Sequence, residues 1–183
     1  MEWCSYDDFD KIIDYLMHNK AVLMETDTVL GLFSKNEDLL YSLKNRPKQK
    51  KIVLLVEDVN KIPHPSKELK RLAESFWPGQ LTLIYDHISY RIPNHKEVLK
   101  VLPIVGSVYC TSANISGEEP FRNSKEAFEK FKDNPASNDL LVVKGVSYTP
   151  SPSTIYDLDT NKIIRQGAIT LDQIENSLNS IKK

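Results

Sequence analysis

Cys110-Thr-Ser-Ala-Asn-Ile-Ser-Gly117 is the stretch on which the reading of this chain turns. The apolar run Val105 to Tyr109 leads into it, so it reads as a strand emptying into a polar loop. Thr111, Ser112, Asn114 and Ser116 supply short hydrogen-bonding side chains, and Gly117 lets the backbone turn. Nothing in it serves as a strong base or a metal site. Two readings fit: a polar turn between two elements, or a wall that holds an anion or polar ligand through hydroxyl, amide and main-chain N–H groups. The stretch leaves both open.

Working outward, helical and extended patterns interleave. Ser5 can cap a helix carrying Phe9, Ile12, Ile13, Leu16 and Met17; Asn36 and Ser66 can cap two more, and Thr170 with Gln173 forms a capping box for a last helix through Leu171, Ile174, Leu178 and Ile181. Lys96 to Leu102 and Ser124 to Lys132 complete the helical set. Strands are expected at Ala21 to Met24, Val29 to Phe33, Leu81 to Tyr85, Leu140 to Val143 and Thr154 to Leu158, with Ile163 to Arg165 returning as a hairpin across Asp159-Thr-Asn161. Tyr90-Arg-Ile-Pro93 is a short extended piece. The continuous run Ile52 to Val56 suggests a strand buried on both faces. Thr149-Pro-Ser-Pro-Ser153 reads as a stiff loop and not a linker. Several consecutive strands are joined by loops too short for a crossover, so the expectation is one α/β domain over residues 1–183 with a mixed sheet.

At 183 residues and 40% hydrophobic content, one core is expected. Twenty-four basic and 25 acidic residues leave a net charge of -1, so no global field draws the chain to nucleic acid or membrane, and any anion binding must be local. Cys4 and Cys110 make neither a disulfide framework nor a zinc site. With no signal-peptide pattern and no apolar run of spanning length, a cytoplasmic protein is expected.

Lys44, Arg46, Lys48, Lys50 and Lys51 place five cations in eight residues, between a helix end and a buried strand, with Pro47 stiffening the segment. A solvated basic turn and a phosphate-binding segment fit these residues equally. The six glycines build no nucleotide-binding fingerprint, so side chains would have to replace the usual backbone cradle. His18, His64, His87 and His95 lack metal spacing and read as surface residues. The inventory favours positioning and charge stabilisation over covalent or metal-hydrolytic chemistry.

Four segments together resemble the YrdC/TsaC family of threonylcarbamoyl-AMP synthases: Glu25-Thr-Asp-Thr-Val-Leu-Gly-Leu32, Leu43-Lys-Asn-Arg-Pro47 with Lys50, Trp77-Pro-Gly-Gln-Leu-Thr82, and Thr111-Ser-Ala-Asn-Ile-Ser-Gly117. Arg91-Ile-Pro-Asn-His95, Pro152-Ser-Thr154 and Arg165-Gln-Gly167 follow in the family's order. The resemblance implies a twisted α/β sheet with a large concave face. It also implies an enzyme that joins L-threonine, bicarbonate or CO2 and ATP, with magnesium, and passes threonylcarbamoyl-AMP to the machinery that modifies a tRNA adenosine beside the anticodon. By the same resemblance Lys44, Arg46 and Lys50 hold the triphosphate, Ser112 and Asn114 lie near the α-phosphate, and Arg165 reaches the nucleotide from across the cleft. Thr26, Arg91 and Ser153 would form the threonine pocket. No residue is expected to hold a metal of its own.

Common family members carry Tyr-Pro where this chain has Met24-Glu25, and an aromatic residue where it has Leu30. Some longer members have a histidine at the place of Leu55; the chain resembles the single-domain form. The competing reading is a non-catalytic module binding double-stranded RNA or tRNA on the same face. On the sequence, Lys44→Ala and Arg46→Ala are expected to lower turnover without unfolding the protein, since neither removes a core contact.

Overall fold

In a computed structural model that describes residues 1–146 and 152–180, the elements follow in the order β1 (Glu2–Cys4), α1 (Phe9–Met17), β2 (Ala21–Met24), β3 (Gly31–Ser34), α2 (Glu37–Lys44), β4 (Val53–Leu55), α3 (Lys67–Phe76), β5 (Leu81–Tyr85), β6 (Ile88–Arg91), α4 (Lys96–Val105), β7 (Val108–Ser112), α5 (Ser124–Phe131), β8 (Leu140–Val143), β9 (Thr154–Asp157), β10 (Lys162–Arg165) and α6 (Leu171–Asn179). The strands form one mixed sheet in the order β1-β8-β2-β3-β7-β4-β6-β5-β9-β10. β8 pairs in parallel with β1 and β2, β4 with β6, and β5 with β9; the other pairings are antiparallel.

Side chains alternate across a strand, and that parity sorts the core onto two faces. Val22 and Met24 of β2, Phe33 of β3 and Leu141 and Val143 of β8 pack with α1 and α4. The intervening residues Ala21, Leu23, Leu32, Leu140 and Val142 pack with α2 and α5 on the opposite face. Further along the sheet, Leu81 and Leu83 of β5, Tyr90 of β6 and Tyr156 of β9 meet α3 and α6. The registers Leu54↔Tyr109, Leu54↔Tyr90 and Leu83↔Tyr90 place these residues on the α2/α5 side. One face is therefore covered by four helices. The other carries α1 and α4 over one half and is open over β4, β6, β5, β9 and β10. That open half is the concavity.

The caps follow the local chemistry at three helices. The Asn36 carboxamide accepts from Asp38 and Leu39 N–H, the Ser66 hydroxyl accepts from Leu69 N–H, and Thr170 and Gln173 form both bonds of the capping box. Three expectations are corrected and one strand is added. The first helix starts one turn later than Ser5 would cap it: Asp8 N–H donates to Ser5 O at 3.1 Å, closing a turn, and the helix begins at Phe9 with Asp8 in the N-cap position and no side-chain cap bond. Val105 completes α4 on its buried side, and Gly106, at φ +76°, ends that helix before β7 begins. β4 is not buried on both faces: Val53 and Leu54 are half-buried, and Val53 lines the concavity. β1, at the sheet edge beside β8, carried no sequence signal. Of the loop expected at 149–153 and the helix through Ile181, residues 149–151 and Ile181 lie outside the described residues.

Candidate active site

The open half of the sheet forms a cleft of about 360 Å³. Its floor is a stripe of cross-strand partners: Gly31↔Ser112, Cys110↔Val53, Leu55↔Arg91, and Thr82↔Ile155↔Arg165. Ser89 and Arg91, like Cys110 and Ser112, are two residues apart and so share a face. Arg165 reaches it by a different route. The β9–β10 register slips between Ile163 and Arg165, and this bulge turns Arg165 away from the face on which Ile163 packs.

Of the nine candidate residues, Thr26, Arg46, Arg91, Ser112, Ser153 and Arg165 line the cleft. Lys44, Lys50 and Asn114 do not; Lys51 lines it in place of Lys50. The five-cation segment thus divides. Lys48 pairs with Asp38 at 2.6 Å, Lys51 Nζ donates to His87 O at 2.7 Å, and the Lys50 carbonyl accepts Arg46 Nε–H at 2.8 Å while its side chain stays exposed. Arg46 Nη2 donates to Lys51 O at 3.0 Å, so two main-chain bonds aim that guanidinium.

Lys44 corrects the expectation of a solvent-facing cation. It is 0% exposed. Its Nζ donates to Ser112 O, to Asn114 O at 2.6 Å and to Asn114 Oδ1 at 2.9 Å. Asn114 Oδ1 also accepts the Ser112 hydroxyl at 2.5 Å, and Asn114 Nδ2 donates to Ile115 O and Glu118 O at 2.9 and 2.7 Å. Ser116 N–H closes the ring on Lys44 O at 2.9 Å. The opening stretch is thus wound around a buried ammonium, and the Asn114 amide is spent inside the loop. Gly117, at φ +91°, supplies the left-handed turn the winding requires. Burial, and then the charge of Arg46, pushes the Lys44 pKa down to about 7. Three oxygen acceptors oppose this, since a neutral amine has only two N–H groups to give them.

At the other wall, Arg91 is 8% exposed. It donates through Nε to Gly79 O at 2.9 Å and through Nη1 to Thr28 Oγ1 at 3.3 Å, and its Nη2 pairs with Asp27 Oδ1. Gln80 Nε2 donates to Asp27 O at 2.8 Å, so the Trp77-Pro-Gly-Gln segment buttresses the turn that carries Thr26 to Thr28. The Thr26 hydroxyl donates to Val29 O at 2.6 Å and accepts Thr28 N–H at 3.0 Å. Ser153 Oγ lies 2.9 Å from Thr82 Oγ1, and Arg165 donates to Ser153 O through Nε and Nη2. Burial, then the charges of Arg91 and Arg46, lowers the Arg165 pKa. Positive charge is therefore concentrated in one cleft of a chain with net charge -1.

Sequence reasoning missed three contributors. Asp27 fixes Arg91, Thr82 fixes Ser153, and Lys51 takes the place given to Lys50. Signals were present for all three: Lys51 stands in the five-cation segment, Asp27 in the motif from Glu25 to Leu32, and Thr82 alternates with Leu81 and Leu83. Cys110 also lines the cleft, but burial pushes its thiol pKa up to about 12, so it is no nucleophile. His95 is corrected from a surface residue: its side chain is 11% exposed, tucked under Tyr6 and Glu25.

Comparison with known proteins gives the same picture. The family model Sua5_yciO_yrdC, described as "Telomere recombination", matches residues 14–167. The "Uncharacterized protein MG259 homolog" of Mycoplasma pneumoniae is 36% identical over 157 residues, covering 85% of this chain and 34% of that protein. The chain thus spans about a third of the length of that relative. The "Threonylcarbamoyl-AMP synthase" of Haemophilus influenzae is 30% identical over 190 residues, covering 86% of this chain and 98% of that protein. The structure of P. abyssi Sua5 complexed with L-threonine superposes with a TM-score of 0.77 at 23% identity, covering 91% of this chain and 56% of that one, and so supports the fold.

Proposed function

Because the chain belongs to the Sua5/YciO/YrdC family, we propose that it is a threonylcarbamoyl-AMP synthase, forming that adenylate and pyrophosphate from L-threonine, bicarbonate or CO2, and ATP. The observation that carries this reading is the cleft stripe. Six segments distant in sequence deliver Thr26, Arg46, Arg91, Ser112, Ser153 and Arg165 to one surface. Arg46, Lys51 and Arg165 are the cations for the triphosphate. Arg91 takes the threonine carboxylate, with Thr26 and Ser153 at the rest of the amino acid. Lys44 acts from behind the wall, as a buried charge that shapes the loop presenting Ser112.

In this reaction the threonine amine adds to CO2, its proton passes to solvent, and a carbamate oxygen attacks the α-phosphorus as the bond to pyrophosphate breaks. The chain supplies alignment and positive charge where the leaving group develops negative charge. Magnesium, where it is present, would neutralise charge on the phosphates; among the described residues no group of three His, Cys, Asp or Glu side chains is fit to hold a metal. The adenylate then goes to the tRNA threonylcarbamoyl-transferase machinery, which places the activity in the cytoplasm. No helix among the described residues is long and apolar enough to cross a membrane.

The test is threonine-dependent pyrophosphate release with ATP, bicarbonate and magnesium. Arg46→Ala should lower kcat/KM by about 100-fold or more, the scale for removing a transition-state cation. It should melt within about 2 °C of the wild type, because Arg46 is only half-buried and its lost partners are main-chain carbonyls near solvent. Absence of threonine-dependent release from folded wild type would sink the enzyme reading, and salt-sensitive RNA binding in its place would support the binding module.

A further inference from the structure

Glu25 stands where the cleft-forming turn leaves β2, and its carboxylate is buried at 7% exposure. A buried carboxylate is costly unless it is hydrogen-bonded, and an apolar residue would fill the same space at less cost. Here its ties are specific. Oε1 accepts the Val146 main-chain N–H at 2.7 Å, and Oε2 lies 3.8 Å from His95 Nε2. The Glu25 main-chain N–H donates to the Tyr6 hydroxyl at 3.1 Å. Gly145 makes the approach feasible, since a Cβ there would stand 2.7 Å from Glu25 Cγ. The next three residues are Thr26 on the cleft wall, Asp27 on Arg91, and Thr28, also on Arg91.

We propose that Glu25 is a positioning residue for the amino-acid end of the cleft: tied to Val146 and Tyr6, it fixes the turn that presents Thr26 and holds Asp27 against Arg91. The carboxylate fixes the turn by hydrogen bonding to a main-chain group held on another segment. This rests on the assignment of Thr26 and Arg91 to threonine.

The experiment compares Glu25→Met, which keeps the volume and removes the acceptor, with Glu25→Gln, which keeps an acceptor oxygen for Val146 N–H. Tyr6→Phe, which removes the other tie, serves if Glu25→Met does not fold. Amide exchange at Thr28, whose N–H is bonded to Thr26 Oγ1, should accelerate about tenfold in Glu25→Met and return toward wild type in Glu25→Gln, the change expected for one lost hydrogen bond. The threonine KM should rise by a similar factor with the ATP KM unchanged. Unchanged Thr28 exchange in a folded variant overturns the proposal whatever the activity. Equal rises in both KM values overturn it too, because a merely structural role would spread the loss. If wild type lacks threonine-dependent turnover, the proposed reaction fails, and Thr28 exchange still decides whether Glu25 sets the turn.

Discussion

Lys44→Ala is expected to melt about 5–15 °C below the wild type, reversing the expectation from sequence that this lysine makes no core contact. The substitution takes the ammonium from Ser112 O, Asn114 O and Asn114 Oδ1; Ser112 O keeps the Asn114 main-chain N–H and Asn114 Oδ1 keeps the Ser112 hydroxyl, while Asn114 O is left without that donor. Stranding the Asn114 carbonyl costs about 1–3 kcal/mol and the lost bonds from the ammonium to the other two acceptors add to it, partly offset by no longer burying an ammonium. The net is about 2–4 kcal/mol, which gives the stated shift for a domain of this size. Activity should fall with it, because Ser112 loses its support. Lys44→Met, which refills the volume, separates the polar loss from the cavity. The pH dependence supplies a second check. With the folded pKa depressed to about 7 from 10.5, the unfolded chain binds more protons between those values. Stability from this group therefore rises with pH above about 7 and is lost as pH falls back through it. Measured against Lys44→Met, so that thiol and phenol titrations cancel, the wild type should gain at most about 1.4 kcal/mol per pH unit between pH 7 and 9. A pH-independent difference would show that the acceptors hold the Lys44 pKa at its ordinary value, and an alanine variant melting within about 2 °C of wild type would show that Lys44 does not hold the loop.

Arg91→Ala should be the other severe loss, on both stability and threonine use. Arg91 and Asp27 are each 9% exposed in their side chains, so removing the guanidinium strands a buried carboxylate. Breaking such a pair costs about 3–5 kcal/mol, and here the bonds to Gly79 O and Thr28 Oγ1 go as well. Asp27→Asn placed in the same background should recover part of that stability, since it removes the stranded charge and not the cavity. Threonine-dependent pyrophosphate release should not recover, because the group assigned to the substrate carboxylate is still missing. Recovery of activity in the double variant would falsify that assignment. Urea denaturation of the four species, read as a double-mutant cycle, measures the coupling.

The local code of this chain was readable because its signals span few residues. Asn36, Ser66 and the Thr170/Gln173 box each bond to main-chain groups two or three positions away, so a cap can be recognised where it stands. The hairpin of β9 and β10 is closed by the four residues Leu158 to Asn161, which sets the pairing Asp157↔Lys162. Six of the nine site residues identified through the family resemblance line one cleft. Ser5 failed as the cap of α1 because the chain makes a separate turn from Ser5 to Asp8 before the helix starts, and the apolar periodicity does not place that start.

What the sequence by itself determined was therefore the inventory: an α/β chain with a mixed sheet, its caps, its family, and the residue types a nucleotide and an amino acid would meet. Tertiary structure decided which of those groups face the cleft. Lys44 and Lys50 are equally basic in sequence, but three acceptors 68 and 70 positions away swallow the first, while a neighbouring helix residue and the Arg46 guanidinium share the main-chain carbonyl of the second. A one-residue slip in β10 sends Arg165 to the opposite face from Ile163. The stretch from Cys110 to Gly117 takes the first of its two readings. It is a turn, wound about a buried cation, and its strand end lines the cleft. The physical reason is that a side chain's exposure depends on what distant segments fold around it, and those contacts are set by strand parity and packing across the whole sheet.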